Sequence, residues 1–191
     1  MKTVIFFFFS FLFLIEFSTI SAQGFQPPAD GKAVVYFVRV TKFGKAVTFQ
    51  YFHNDAFIGQ FKGKNYMRYE CDPGEQLFWV SSEDKEFVTS DLKEGDTYII
   101  IINVEMGAWK ARVGLNPLDP NESELFDRAK KLVNKKAPIV TSQKDMDKIN
   151  GKLKAKNFIP NQLEKYETIW KKEKDFPHIS SDMAIPKESL K

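Results

Sequence analysis

Cysteine is almost missing from this chain: Cys71 is the only one in 191 residues. No internal disulfide can therefore form, which excludes the stapled scaffolds of small secreted eukaryotic domains. Histidine is nearly as scarce, with His53 and His178 alone. A zinc site of the usual kind needs several His or Cys ligands within a few ångströms, and these two stand far apart in sequence. There is no His-Glu-x-x-His, no Gly-x-Ser-x-Gly and no glycine-rich phosphate loop. Long apolar runs are absent after the first residues, so no later segment reaches the roughly 20 residues of a membrane-spanning helix. A strong charge of either sign is absent too. The formal net charge is +3, from 28 basic and 25 acidic residues, which is too mild a balance to argue for nucleic acid.

What is present begins at the N-terminus. Lys2 precedes an apolar run, 4–15, that includes four phenylalanines in succession, Phe6 to Phe9. Glu16 interrupts it, and the small or polar residues Ser18, Thr19, Ser21 and Ala22 follow. A basic end, a short apolar stretch and a small residue at the cut form the secretory pattern. Residues 1–22 are therefore expected to be a signal peptide cleaved after Ala22, leaving a product of about 170 residues, suited to one domain with an appendage. The single cysteine points to a Gram-negative periplasm as the destination, or to the medium beyond it. Cys71 itself lies too far from the leader to carry a lipid.

After a lead-in over 23–30, period-two patterning sets in. Residues 32–40 (KAVVYFVRV) are apolar on both faces, as in a strand covered on both sides. Further strands are expected at 46–53, 57–61, 66–71, 76–81, 86–92, 97–104 and 108–113. Asn54-Asp55 marks a tight turn, and Asp72-Pro73-Gly74 supplies the strongest turn signal. The four isoleucines Ile99 to Ile102 mark a buried central strand. Short strands at even spacing predict an antiparallel β-sandwich of about seven to eight strands over 31–116. Cys71 shares a strand face with Met67 and Tyr69, which reads as a buried thiol.

Beyond Pro117 the period becomes helical, and the expected fold class is mainly β with a tail of two to three amphipathic helices over 117–175. Leu125, Phe126, Ala129, Leu132 and Val133 form the first stripe. Ser142 with Asp145 caps the second helix, whose stripe is Met146, Ile149 and Leu153. The third is placed after Pro160 with Asn161 as cap, and carries Leu163, Tyr166, Ile169 and Trp170. Residues 176–191 read as a flexible tail. The charge is uneven: from Pro117 onward basic residues exceed acidic ones by about four, while 23–116 is nearly neutral. Trp79 reads as core, whereas Trp109 and Trp170 are candidates to join the sheet to the helices. The 31–116 segment is expected to fold with some loss of stability when cut off near Asp119, because something must cover the outer face of 32–40.

Several segments of the β region carry a resemblance. They are Gly31-Lys32-Ala33-Val34-Val35-Tyr36-Phe37-Val38-Arg39, then Ile58-Gly59, Tyr66, Pro73-Gly74 and finally Glu94-Gly95-Asp96-Thr97-Tyr98, in that order. Over 31–115, a little under half of the chain, the sequence resembles the bacterial family called domain of unknown function 2846. That resemblance implies a transthyretin-like β-sandwich exported to the cell envelope, often as a lipoprotein. The lipid-attachment cysteine of such members is absent here and the helical tail is additional. The family brings no catalytic residues.

No catalytic, cofactor-binding or metal-binding residue is assigned, and no cofactor is expected. His53 reads as a turn residue, and Asn121-Glu122-Ser123 as a chance match to a glycosylation acceptor. The function expected is a non-catalytic binding or scaffolding module of a bacterial cell envelope. Its partner would be an envelope protein or a glycan, not nucleic acid, with loop 62–65 as a candidate contact. Two alternatives stand beside it. One is a secreted hydrolase built on carboxylates of the β region. The other is a peripheral membrane protein that uses its basic helices.

Overall fold

The structure, a computed structural model, describes residues 23–106 and 111–191. The expected signal peptide lies outside the described residues. Eight strands come first: β1 (Ala33–Val38), β2 (Thr48–His53), β3 (Ala56–Lys62), β4 (Tyr66–Cys71), β5 (Gly74–Ser81), β6 (Lys85–Leu92), β7 (Thr97–Met106) and β8 (Ala111–Pro117). Helices α1 (Ser123–Lys135), α2 (Gln143–Ala155) and α3 (Phe158–Lys165) follow. A π-turn (Tyr166–Trp170), a last helical turn (Lys171–Glu173), a two-residue strand, β9 (His178–Ile179), and a 3-10 turn (Ser181–Met183) complete the regular elements of the described residues.

The strands form a sandwich of two sheets, ordered β4-β1-β7-β8 and β3-β2-β5-β6-β9. The expectation of a wholly antiparallel sandwich needs one correction: β1–β7 and β6–β9 are parallel pairs, so both sheets are mixed. The reason for the first lies in the connectivity. Strands β1 and β7 are separated by the excursion through β2 to β6, and both enter the sheet from the same end. Their entry loops interlock, with Gly95 N–H donating to the Lys32 carbonyl at 2.8 Å and Val34 N–H to the Asp96 carbonyl at 3.0 Å.

Alternation in β1 explains the layering. Ala33, Val35 and Phe37 face the second sheet and join Phe49, Tyr51, Phe78, Val80, Ile100 and Ile102 in the central core. Val34, Tyr36 and Val38 face outward, where Ala129, Leu132 and Val133 of α1 cover them together with Ile99 and Ile101. The outer face of the other sheet is apolar as well. Phe52, Phe57, Trp79 and Phe87 lie under Leu153 of α2, Phe158 and Leu163 of α3, and Tyr166 and Trp170 of the π-turn. The order of layers is therefore helix, sheet, sheet, helices. A β-bulge decides part of this pattern. Tyr51 pairs with Gly59 but Phe52 with Phe57, so Ile58 is the extra residue and the face of β3 reverses there. That reversal lets Phe61 point into the central core while Phe57 joins the outer aromatic layer.

The lead-in and the last residues belong to the fold. Phe25 packs edge-on to Tyr36 with ring centroids 4.8 Å apart, and Gln26 N–H donates to Tyr36 Oη at 2.7 Å. The segment 176–191, expected as a flexible tail, instead pairs with β6 and then reaches the start of β7. Thr89 N–H donates to the Pro177 carbonyl at 3.1 Å and Ile185 N–H to the Thr97 carbonyl at 2.9 Å. Ile179 and Ile185 are buried. Two prolines with isolated apolar residues read as a tail because a strand this short shows no period. The third helix also begins earlier than expected. Asn157 takes the left-handed conformation (φ 47°) and α3 starts at Phe158, with Pro160 inside its first turn, where the missing N–H has no helical partner to lose.

Candidate functional site

The residues singled out in the sequence fall into separate places. His53 closes the β2–β3 hairpin with its ring stacked on Phe78 at 4.8 Å. Its Nε2 lies 2.7 Å from Gln76 Oε1 and its Nδ1 3.0 Å from Tyr69 Oη. An amide oxygen only accepts, so in the neutral tautomer that suits these partners Nε2–H donates to Gln76 Oε1 and Nδ1 accepts from the Tyr69 hydroxyl. Both ring nitrogens are thus engaged by uncharged groups, and no carboxylate orients the ring as a general base would require. Asn54, at φ 49°, completes the turn: its Nδ2 donates to Gln76 Oε1 at 3.0 Å and its Oδ1 accepts from Leu77 N–H at 3.0 Å. His178 sits on β9, exposed, 2.9 Å from Thr89 Oγ1. Cys71 is buried at the end of β4, and burial pushes its thiol up to about 12. A thiol held there is protonated at neutral pH and is not a nucleophile.

Trp79 is fully buried, stacks on Phe52 at 3.8 Å and donates Nε1–H to the Asn54 carbonyl at 2.9 Å. Trp170 joins helix to sheet through Phe87, 5.7 Å between centroids. Trp109 lies outside the described residues. Loop 62–65 is a braced turn: Asn65 Nδ2 donates to the Lys62 carbonyl at 2.8 Å, and Lys136 Nζ donates to Asn65 Oδ1 at 2.7 Å. Asn121 is tied back to Asp119 through both its backbone and side-chain nitrogens, each at 2.8 Å. Among the described residues, no group of three or more His, Cys, Asp or Glu side chains is placed to hold a metal ion.

One concave surface stands out that the sequence did not point to. A cleft of about 800 Å³ lies between the first residues of β6 and β8. Its walls carry Glu83, Asp84, Lys85 and Glu86 from the β5–β6 hairpin, and Val113, Gly114 and Asn116 from β8. Trp170, Glu173, Lys174 and Phe176 close the third side. Glu86 is neutralised by Lys174, whose Nζ lies 2.6 Å from both carboxylate oxygens. Glu83, Asp84 and Glu173 appear in no ion pair among the described residues. The cleft is thus acidic overall, with aromatic edges at one end. It runs along two sheet margins, since β8 is the last strand of its sheet and β9 pairs with β6 only at Thr89 and Ser90. No sequence signal marks it, because its residues come from three distant segments brought together by the turn at 82–84 and the π-turn. No family model matches the chain, and no curated protein matches it.

Proposed function

We propose that this protein is an exported, non-catalytic binding module of a bacterial cell envelope, and that the cleft between β6 and β8 receives its partner. The observation that carries the reading is the sealing of the sandwich. Helices of the same chain cover both outer faces, which leaves the cleft and its open sheet margins as a concave surface for a ligand. Sheet margins with free backbone groups accept an extended segment, and the carboxylates on the walls favour a basic one. The secretory pattern of 1–22 and the resemblance to domain of unknown function 2846 are what support the envelope as its compartment. Two of the segments that carry the resemblance, around Gly31 and around Glu94-Gly95-Asp96, meet in space, with Gly31 N–H donating to Glu94 Oε1 at 3.1 Å.

The test is capture from envelope extracts on the purified protein, followed by the charge-reversal pair Glu83→Lys with Glu173→Lys. A saturable envelope protein or glycan that is retained by the wild type and lost by the pair supports the reading. Turnover of glycan, ester, peptide or phosphate substrates that disappears on substituting one carboxylate of the β region would replace it with the hydrolase alternative.

A further inference from the structure

The strand ends β2/β3/β1/β4 at one pole of the sandwich carry an unusual surface. Loop 39–47 and turn 62–65 lie against each other there, and a Cβ on Gly63 would stand 3.7 Å from the Lys45 carbonyl. The C-terminus of α1 joins them, with Lys136 Nζ bonded to the Lys64 carbonyl at 2.5 Å. Lys42, Lys45, Lys62, Lys64, Lys135 and Lys136 gather at this pole, and none of them belongs to an ion pair among the described residues. Between Gly31 and Glu70 the only acidic residue is Asp55, which sits at the opposite pole beside the β2–β3 turn. Phe43 projects from the middle of the lysines, 48 % exposed, and Val140, 81 % exposed, borders them beyond α1.

The loop that carries Phe43 is held in shape from beneath. Arg39 is fully buried. Its Nη2 donates to the Phe43 carbonyl at 2.6 Å and the Gly44 carbonyl at 2.7 Å, and its Nη1 to the Val47 carbonyl at 3.1 Å. Among the described residues no carboxylate pairs with this guanidinium, which lies over the Phe49 ring at 4.9 Å. Its charge therefore adds to the field of the exposed lysines. Among the described side chains, the acidic residues at the same pole are Glu83 and Asp84 of the β5–β6 turn, one strand beyond β2, where Glu83 shares a hollow with Val47 and Thr48, so the lysines are flanked on that side by an acidic turn.

We propose that the basic side of this pole docks on an anionic lipid bilayer, with Phe43 entering the headgroup layer and the lysines ringed around it on lipid phosphates. An aromatic side chain exposed within a ring of lysines suits an interface that is apolar beneath and negatively charged above. A purely polyanionic partner would have use for the lysines but none for Phe43 or Val140.

Flotation of the full chain, as recovered from producing cells, with two kinds of vesicle tests this. One kind is phosphatidylcholine alone; the other contains one quarter phosphatidylglycerol. The readout is the ratio of the two partition coefficients, to which any retained N-terminal apolar segment contributes alike in every variant. At low salt the ratio should fall about fivefold for each lysine removed in the series Lys42→Gln, Lys45→Gln, Lys62→Gln, Lys64→Gln. Phe43→Ala should lower binding to the anionic vesicles about fivefold. Removing the same number of charges from α2, through Lys144→Gln, Lys148→Gln, Lys152→Gln and Lys154→Gln, should leave most of the preference intact. Equal binding to both vesicles, a loss as large for the α2 set, or no effect of Phe43→Ala would each overturn the proposal. All of these side chains are exposed or half-exposed, and matching circular dichroism spectra confirm that a loss is not unfolding.

Discussion

At the scale of single residues, burial rather than reactivity governs the groups that look chemical in the sequence. The Cys71 thiol is pushed up to about 12 by burial, with Asp72 adding to the effect. The folded state therefore prefers the protonated thiol. Its contribution to stability is complete below the ordinary thiol range near 8.5 and fades as pH rises from there toward 12. Iodoacetamide at pH 8 should leave Cys71 unmodified in the native protein and alkylate it fully in denaturant, with mass spectrometry as the readout; rapid alkylation of the native form would mean that the end of β4 opens. Glu70, on the same strand, shows the opposite balance. Burial works to raise its carboxyl, but the Arg68 guanidinium at 2.6 Å and the Ala29 N–H at 3.0 Å outweigh it and hold it below the usual range. The stability Glu70 contributes is present above the ordinary carboxylate range and is lost as pH falls through its lowered value.

At the scale of elements, close approach to neighbours decides which local rules hold. Gly59 sits at the bulge of β3 with φ 153°, and a Cβ there would stand 2.8 Å from Met67 Sδ and 3.1 Å from Thr141 Oγ1. Both neighbours are committed: Met67 is buried in the central core, and Thr141 Oγ1 accepts from Gln60 N–H at 2.9 Å. Gly59→Ala should cost about 2 kcal/mol in denaturant unfolding, from overpacking added to backbone strain. Gly74 has φ 95°, and a Cβ added there would meet nothing within 4 Å, so Gly74→Ala should cost less, from backbone strain alone. Equal losses would show that the bulge region yields freely. The cap of α2 is legible in the sequence, and Ser142 Oγ does accept from Asp145 N–H at 3.2 Å. The end of β8 is not. The alternation ends that strand at 113, yet β8 runs on to Pro117, with Pro117 opposite Ile100; the expected start at 108 lies outside the described residues. An edge strand has one unpaired side and tolerates a residue with no N–H.

At the scale of the whole molecule, the helices complete the fold. The sequence predicts that a chain cut near Asp119 keeps a folded sandwich with some loss of stability. The two covered outer faces imply a stronger outcome. Such a cut strips α1 from Val34, Tyr36, Val38, Ile99 and Ile101, and removes α2, α3 and the π-turn from Phe52, Trp79 and Phe87. Each large apolar side chain returned to water costs roughly 1.5–3 kcal/mol, against a total stability of about 5–15 kcal/mol for a domain. The truncated protein should be insoluble or molten, with dye-binding apolar surface and no cooperative melt. A sharp thermal transition with β-type circular dichroism would show that the sandwich stands alone and that the helices are an appendage.

The sequence by itself determined the approximate positions of β1 to β7, the turns at Asn54-Asp55 and Gly95, the Ser142 cap and the helical character beyond Pro117. These depend on period, turn chemistry and capping, which act over a few residues. It also showed that both faces of 32–40 were apolar, without saying what covers the outer one. Only the tertiary structure decided that α1 covers it, that β1 and β7 run parallel, and that the last residues pair with β6. Only there do Lys42 and Lys62 share a surface with Lys136, and Glu83 a cleft with Glu173. Such pairings join residues many positions apart, and their free energy comes from burying faces against each other; no local pattern along the chain records which face meets which.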